Sequence, residues 1–429
     1  MDEILAHAAR ALRMKMVART YKWKEGVELE PHTQKKHQIL REYFRSYLLT
    51  RCQFPTTSFK LIVVDGFSGS GLYEGGHTGS SLLFVEVLIE VIVKINIERD
   101  AKGWRPLSIS CLLCLNDYDF EVTQELKQNF AEPLRQCREI EHLSIETQFY
   151  SQPFEELYWE LKPKLKAVGC NNVFFNLDQC GYMHVSTTIL RDIIASWKSA
   201  EILLTFMIQS LITYLSPTKN NVTLEPELRQ SIQRLSIEFE KGQFGKTAWL
   251  GAAEKAVFEY LGQVAPFVSP FSINNNKGWR YWLMHFASSY RARQVFNNVL
   301  HSDFSTQAHF GRAGLKMLSY TPGDDVQLYL FNSDSREVAK KDLYEDIPRM
   351  ISESGDTLEM DEFYKLAYNE TAAHSDDIHE MMILNPDVEV LTGSEGGMRR
   401  KANTIKVTDR LRLNKQQNLF FFYEKKNEK

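Results

Sequence analysis

The chain has 429 residues, with 51 Lys and Arg against 55 Asp and Glu, so its formal net charge is −4. This length predicts two or three domains, and the near-neutral charge excludes a protein that coats nucleic acid along its whole length. Hydrophobic residues at 43 % and charged residues at 25 % are typical of globular proteins and exclude wholesale disorder.

The apolar runs and the cysteines indicate where in the cell the protein is expected and whether it enters a membrane. No apolar run reaches the ~18–20 residues that a membrane-spanning helix needs, and the first twenty residues lack the continuous apolar region of a secretory signal. Six cysteines do not make a disulfide scaffold at this length. We therefore expect a cytoplasmic protein in a reducing environment, with no membrane partner.

The pair Cys111 and Cys114 has the spacing of a metal-binding CxxC motif. Both residues lie in a predicted buried strand, where positions three apart face opposite sides of the sheet. No second CxxC and no suitably spaced His pair accompanies them. We therefore interpret them as core residues and predict no metal site.

Residues 1–55 have a helical pattern and are predicted to form an N-terminal helical segment. From Lys60 onward, apolar strand-like runs alternate with amphipathic helical segments. The predicted strands are 60–65, 108–115, 142–147, 172–178 and 201–207, and the predicted helices between them are about 81–97, 120–136, 154–165 and 186–199. Strict alternation predicts a doubly wound, Rossmann-like α/β sheet.

The alternation stops after residue 207. Residues 223–263 have a helical pattern, and the strand-like stretches 265–273 and 279–286 are joined by the turn-forming segment 274–278. Five parallel strands followed by an antiparallel hairpin form the sheet of class I S-adenosylmethionine-dependent methyltransferases. We predict that this domain covers residues 56–305.

The last part of the chain has a different pattern. Residues 306–335 are predicted to be a linker with one strand, 326–331. Residues 336–429 are predicted to form a winged helix-turn-helix domain, because three short helical stretches precede two strands around a glycine-rich loop. The helical stretches are about 347–353, 358–368 and 375–384, and the strands are 388–391 and 402–413.

Charge divides this last part into an acidic and a basic stretch. Residues 334–398 contain 5 basic and 17 acidic side chains, whereas residues 399–429 contain 10 basic and 3 acidic ones. The predicted recognition helix carries Asp376, Asp377 and Glu380, which would repel phosphate. Nucleic-acid binding is therefore predicted for the wing, at Arg399, Arg400 and Lys401. Use of the domain for protein contacts, with a solvated basic tail, is an open alternative.

The most informative motif is Asp-Gly-Phe-Ser-Gly-Ser-Gly at residues 65–71, which begins at the last residue of the first predicted strand. Glycines here let the backbone approach a ligand at the carboxyl ends of the strands. A dinucleotide site would need a further glycine at position 74, which is Glu. We predict an S-adenosylmethionine site with contributions from Asp65, Phe67, Gly69 and Gly71; the alternative is an Asp-Gly turn that binds no cofactor.

The second predicted strand ends in Asn-Asp-Tyr-Asp at residues 116–119. An acidic side chain at this place can accept hydrogen bonds from both ribose hydroxyls of an adenosine. Asp117 is predicted to do so, with Asp119 as the alternative. Asp119 also fits the N-cap of the helix that begins near Phe120.

The fourth predicted strand ends in Asn-Leu-Asp-Gln-Cys-Gly-Tyr at residues 176–182. Enzymes that methylate amino groups often have Asp or Asn, two prolines and an aromatic residue here. Asp178 is predicted to orient the attacking amine and Tyr182 to stack on the base, while Gln179 and Cys180 stand in place of the prolines. The alternative is a loop Asp whose carboxylate is bound by backbone amides.

Together these motifs resemble the three-Cys-motif partner proteins (TcmP), a family that resembles class I methyltransferases. The family's opening Thr-x-x-Lys-His segment matches residues 33–37, its glycine motif matches 65–71 with Tyr73, and its Asp-Pro-aromatic-Gly segment corresponds to 178–181. The resemblance covers about residues 20–305, and related members carry a winged-helix tail. Three family residues are replaced here, by Ser68, Ser81 and Gln179.

This resemblance implies a methyltransferase-like fold that binds S-adenosylmethionine, and a three-Cys-motif protein encoded nearby as its partner. Three functions follow as hypotheses. The first is a methyltransferase acting on a nucleic-acid base, which would have to be flipped out of a duplex. The second is a catalytically inactive adaptor that docks a partner protein or DNA through its winged helix. The third is a transcription regulator with a small-molecule sensor domain.

Overall fold

The computed structural model describes residues 27–179, 184–208, 226–240, 246–274, 280–302, 308–309, 329–330, 333–393 and 396–414. The predicted helical pattern before residue 27 and the predicted site residues Cys180 and Tyr182 lie outside these ranges. Within them, no helix is both long enough and apolar enough to cross a membrane.

A nine-stranded mixed sheet forms the centre of the molecule, in the order β3-β2-β1-β4-β5-β7-β6-β8-β9. Its strands are β1 (Ser58–Asp65), β2 (Ser108–Asn116), β3 (Leu143–Tyr150), β4 (Asn172–Leu177), β5 (Ser199–Phe206), β6 (Phe267–Asn274), β7 (Arg280–Ala287), β8 (Ala308–His309) and β9 (Tyr329–Leu330). The first five strands are parallel, and β7 runs antiparallel to both β5 and β6. The five alternating strands and the hairpin predicted from sequence are confirmed.

Helices connect the parallel strands, as the alternation predicts. Those of this part of the chain are α1 (Pro31–Cys52), α2 (Ser80–Asp100), α3 (Phe120–Arg138), α4 (Phe154–Ala167), α5 (Thr187–Ser196), α6 (Pro226–Glu240), α7 (Lys246–Gly262) and α8 (Tyr290–Ser302). This mixed α/β architecture with a mainly parallel sheet is compatible with the predicted Rossmann-like fold.

Apolar cores lie on both faces of the sheet because successive strand residues point to opposite sides. In β1, Leu61 and Val63 pack with α1, α2, α3 and α8, whereas Ile62 and Val64 pack with α4 to α7. Cys111 and Cys114 of β2 are divided in the same way, one into each core. Their interpretation as diverging core residues is confirmed.

The C-terminal part contains α9 (Ser333–Glu353), β10 (Thr357–Glu359), α10 (Met360–Ala367), α11 (Ser375–Leu384), β11 (Val388–Leu391) and β12 (Arg410–Leu413). Its three strands form a small antiparallel sheet in the order β10-β12-β11. The predicted helix 347–353 is the end of the 21-residue α9. Of the predicted linker strand 326–331, β9 is the described part.

The second strand of the hairpin is shorter than predicted. Residues Ala402–Thr404 form one turn of 3₁₀ helix, and the strand begins only at Arg410. The carboxylate of Asp409 accepts a hydrogen bond from the backbone N–H of Lys406 at 2.8 Å and so closes a turn before the strand. The prediction of a continuous strand from Ala402 was wrong because it did not include this turn.

Buried polar contacts join α8 to the C-terminal part. The fully buried guanidinium of Arg293 and the amide of Asn297 both donate to the carbonyl of Thr371, at 3.1 and 3.0 Å. The ring nitrogen Nε2 of His301 lies 2.8 Å from the carbonyl of Ala372. The apolar core that includes α8 also continues into α9, α10 and α11.

Candidate functional site

The carboxyl-terminal end of β1 is anchored by Asp65, which is fully buried. Its Oδ2 accepts a hydrogen bond from Ser80 Oγ at 2.7 Å, and its Oδ1 accepts from Asn176 Nδ2 at 3.2 Å and from the backbone N–H of Phe67 at 3.4 Å. Burial raises the pKa of Asp65 to about 7, against these hydrogen bonds. Through these hydrogen bonds, Asp65 connects the end of β1 to β4, to the start of α2 and to the loop that follows β1.

The loop after Asp65 depends on glycine at two positions. Gly69 and Gly71 have φ of 57° and 84°, in the region that side chains disfavour. A Cβ at Gly71 would lie 2.8 Å from Leu126 Cδ1, so α3 packs directly against this backbone. The carbonyl of Gly71 also accepts from the N–H of Gly79 at 2.7 Å, which ties the loop to the N-terminus of α2.

Asp117 at the end of β2 faces the same loop. Its Oδ2 accepts from the backbone N–H of Gly69 at 3.1 Å, and its Oδ1 accepts from the N–H of Asp119 at 3.0 Å. Burial raises the pKa of the Asp117 carboxyl. The structure thus brings together two of the predicted cofactor-binding residues, Asp117 and Gly69.

Asp119 has a different role. Its Oδ1 accepts from the backbone N–H groups of Glu121 and Val122, at 2.8 and 3.5 Å, as the N-cap of α3. This is the capping role that the sequence predicts for it. Asp117, and not Asp119, is therefore the carboxylate turned towards the glycine loop.

Phe67 lies on the other side of the loop and is partly buried. Its ring centroid is 5.9 Å from that of Phe154 and 6.5 Å from that of His184. The aromatic residue of the glycine motif therefore packs against the start of α4 and faces the ring of His184.

Asp178, directly after β4, forms an ion pair with Lys36 of α1. The Nζ of Lys36 lies 2.5 Å from Oδ1 and 2.7 Å from Oδ2, and the side chains are 12 % and 22 % exposed. Burial acts to raise the pKa of Asp178, but the charge and hydrogen bonds of Lys36, with a hydrogen bond from Thr205, outweigh it and lower this pKa. Asp178 is held as a carboxylate by a side chain that the sequence analysis did not assign.

His37, the neighbour of Lys36, completes this side of the site. Its ring packs edge-on against Tyr73 with centroids 5.6 Å apart. Burial lowers the pKa of His37 to about 4, although the charge of Asp178 acts in the opposite direction. The imidazole is therefore neutral at pH 7. The Lys-His pair of the Thr-x-x-Lys-His segment was the signal that could have identified both residues.

Gln179, which stands where the resembled family has proline, is 2 % exposed. Its Oε1 accepts from the backbone N–H of His184 at 2.9 Å, so the side chain bridges the two ends of segment 180–183. Its Nε2 has no partner within the part of the chain that the structure describes. The predicted stacking residue Tyr182 lies in that segment, outside the described residues.

The basic residues predicted to bind nucleic acid differ in their surroundings. Arg399 forms two hydrogen bonds with the carboxylate of Asp409, at 2.9 and 3.0 Å, whereas Arg400 and Lys401 are exposed. On α11, Asp377 is paired with Arg336 at 2.7 and 2.8 Å. Arg399 therefore stabilises the turn before β12, and of the three predicted residues only Arg400 and Lys401 are exposed.

Among the residues that the structure describes, no group of three or more His, Cys, Asp and Glu side chains is arranged to hold a metal ion.

No protein-family model matches the chain, and no curated protein matches it. Among solved structures, the chain is similar to cofactor-bound Rv0187 from MTB, with 11 % sequence identity and a TM-score of 0.27. That match covers 67 % of this chain and 91 % of the other. At this level the similarity supports no conclusion about fold or activity.

Proposed function

We propose that the protein binds S-adenosylmethionine at the carboxyl ends of β1, β2 and β4 and acts as a methyltransferase on or with nucleic acid. The observation that carries this proposal is the contact between Asp117 and Gly69. It places a carboxylate beside a glycine turn, at the edge of the sheet where open α/β folds bind nucleotides.

The position of the site in the sheet supports the proposal. The strand order reverses between β1 and β4, since β2 and β3 lie on one side of β1 and β5 lies beyond β4. Ligands of open α/β sheets bind at such a reversal. Asp65, Asp117 and Asp178 lie at the carboxyl ends of three neighbouring strands there. The antiparallel β7 between β5 and β6 is the arrangement expected of a class I methyltransferase.

The types of side chain at the site suit the cofactor. Asp117 can accept the two ribose hydroxyls, and Phe67 supplies an apolar wall. The loop lacks a phosphate-binding Lys and the third glycine of a dinucleotide site, which suits an adenosyl group without phosphates. When bound, S-adenosylmethionine would supply an electrophilic methyl group on a sulfonium. The role of this chain's residues is to hold cofactor and acceptor in line for the displacement.

Calorimetric titration of the full-length protein with S-adenosylmethionine, and with its demethylated product, tests this proposal. We expect saturable binding of both ligands in the wild type. Absence of binding of either ligand would contradict the proposed cofactor site and with it the methyltransferase function.

We also propose that residues 333–414 form a winged helix. The order of helix, short strand, two helices and a two-stranded hairpin supports this, as does the strand order β10-β12-β11. The exposed Arg400 and Lys401 would contact phosphates at the wing. Fluorescence anisotropy with a labelled duplex at several salt concentrations measures this contact, and binding without salt dependence would contradict it.

A second candidate function is an inactive adaptor that docks a three-Cys-motif protein. The observation that favours it is the Lys36–Asp178 ion pair, because it covers the carboxylate predicted to receive the acceptor. Co-purification with that protein, together with cofactor binding but no methyl transfer to protein, RNA or DNA, would support the adaptor. Methyl transfer by the purified chain would exclude it.

A further inference from the structure

We propose that the methyl acceptor is a hydroxyl oxygen, the ribose 2′-hydroxyl of RNA, and that Lys36 contacts the reacting oxygen. This inference rests on the proposed function and names the substrate class of the same site. It differs from the prediction that Asp178 orients an amino group, and the reason lies in the charge that stands next to Asp178.

The carboxylate of Asp178 already holds a positive charge beside it. Both of its oxygens already contact Lys36 Nζ, at 2.5 and 2.7 Å, in an ion pair whose side chains are 12 % and 22 % exposed. Breaking a partly buried ion pair leaves a desolvated charge without its partner. Lys36 therefore belongs to the resting site and presents its remaining N–H donor capacity there.

The charge of Lys36 distinguishes the two kinds of acceptor. When an amine attacks a sulfonium, positive charge moves onto the nitrogen, and a neighbouring ammonium repels it. When a hydroxyl attacks, the oxygen takes on alkoxide character, and a neighbouring ammonium stabilises that negative charge by donating a hydrogen bond. Such effects are strongest in sites from which water is largely excluded.

The remaining neighbours are consistent with this division of roles. Asp178 orients Lys36 through two contacts and also accepts a hydrogen bond from Thr205 of β5. His37 is neutral at pH 7, so it adds no second positive charge to the pair. Among the described residues, Lys36 is the cation paired with Asp178, and Asp178 acts as a positioning residue for it.

A new O–CH₃ bond forms while the S–CH₃ bond of the adenosyl sulfonium breaks, and the electron pair of that bond remains on sulfur, which becomes a neutral thioether. The hydroxyl proton leaves to water. No oxidant, reductant or metal ion takes part.

Among polynucleotides, this chemistry selects RNA. Each internal ribose of RNA carries a free 2′-hydroxyl, whereas internal residues of DNA have none, so the 2′-hydroxyl distinguishes the two. The exposed Arg400 and Lys401 can contact the phosphates of either polymer. We therefore assign the discrimination between RNA and DNA to the 2′-hydroxyl oxygen that would lie beside Lys36.

The experiment uses the full-length protein, S-adenosylmethionine with a tritium-labelled methyl group, and RNA and DNA oligonucleotides of matched sequence. We expect label in RNA only, and mass spectrometry of the digested nucleosides should place the methyl group on the ribose. Lys36→Met should lower the rate of transfer about 100-fold or more. Its affinity for S-adenosylmethionine, measured by calorimetry, should stay within about threefold of wild type, because Lys36 acts on the acceptor.

The chain offers a matched control in Lys162, whose Nζ lies 2.7 Å from both carboxylate oxygens of Asp192 on α5. Lys162→Met removes an equivalent Lys–Asp pair away from the site and should leave the transfer rate unchanged. Should Lys36→Met fail to fold, as judged by circular dichroism, Lys36→Arg takes its place. It keeps the charge and should retain ribose specificity at a reduced rate.

The outcomes separate this inference from the proposed function. Methyl groups on a base amine would overturn the hydroxyl assignment while leaving a methyltransferase. Tight cofactor binding with label in neither oligonucleotide would overturn the RNA hydroxyl as acceptor while leaving the cofactor site. A wild-type protein that binds no S-adenosylmethionine would overturn both. Full activity of a folded Lys36→Met variant would overturn the role of Lys36.

Discussion

The backbone N–H of Gly69 donates to Oδ2 of Asp117 across 3.1 Å, although the two residues are 48 positions apart. This hydrogen bond joins the loops that follow β1 and β2. An incoming ribose that bonds to Asp117 would therefore meet a carboxylate whose orientation is already set by the glycine loop.

Asp117→Ala should weaken S-adenosylmethionine binding by about tenfold or more. Hydrogen bonds to a charged acceptor contribute about 1.5–3 kcal/mol each, and the variant removes the acceptor proposed for the ribose hydroxyls. Calorimetry measures the change. Asp119→Ala is the matched control, since it removes an N-cap at a cost of about 1 kcal/mol in stability and should leave the affinity unchanged. Equal affinity losses in both variants would contradict the assigned roles.

Gly71→Ala should destabilise the protein more than Gly103→Ala. Both glycines have positive φ, 84° and 66°, so both variants incur a backbone cost of about 1–2 kcal/mol. Only at Gly71 would the new Cβ overlap a neighbour, the fully buried Leu126, which should add about 1–3 kcal/mol. Urea unfolding of the two variants measures the difference, and equal destabilisation would contradict this packing.

Asp65→Asn should change how stability depends on pH. The pKa of Asp65 is raised in the folded protein from 3.8 to about 7, so between these values the folded chain holds a proton that the unfolded chain has lost. This contribution to stability is complete below pH ~4 and is lost as pH rises through ~7, at a slope of up to about 1.4 kcal/mol per pH unit.

The free energy of unfolding of wild type minus that of Asp65→Asn should therefore fall between pH 5 and pH 7. Contributions from groups unaffected by the substitution cancel in this difference. The asparagine can keep the contacts to Ser80 and Asn176, which limits structural disturbance. A difference that stays constant across this range would show that Asp65 titrates at its ordinary pKa in the folded protein.

Arg399→Gln should act on stability, and Arg400→Gln should act on binding. The first breaks a paired contact with Asp409, whose side chain is 1 % exposed, and should cost about 3 kcal/mol of stability. The second removes an exposed charge and should change stability by less than about 0.5 kcal/mol. If the proposed nucleic-acid binding occurs, only Arg400→Gln should lower its salt dependence, by about one unit of slope, while residues 396–414 stay folded. An unchanged slope would exclude a phosphate contact at Arg400.

Much of the sheet could be predicted because buried parallel strands are continuous apolar runs that end in polar residues. The predicted strands 60–65 and 172–178 end in Asp65 and Asp178 in this way, and the structure places β1 and β4 side by side. The helix cap at Asp119 could be predicted for a similar reason, since its hydrogen bonds reach only two or three residues along the chain.

The parts that could not be predicted depend on contacts between distant residues. Lys36 meets Asp178 across 142 positions, and no local pattern records that encounter. The length of β12 depends on the side chain of Asp409, which accepts a hydrogen bond from Lys406 and closes the turn before the strand. The residue types of this segment alone do not predict that turn. The roles of Tyr182 in stacking, and of a three-Cys-motif protein as partner, stay predictions.

The contacts of Arg293 and Asn297 with Thr371 make the N-terminal part of the protein depend on the C-terminal part for its stability. Ending the chain after α8 would remove the carbonyl acceptors of a buried guanidinium and a buried amide at once, and would expose the apolar surface that α9 to α11 cover. The sheet and the C-terminal part should therefore unfold in one cooperative transition, and proteolysis of the folded chain should not release a stable N-terminal fragment that ends at Ser302.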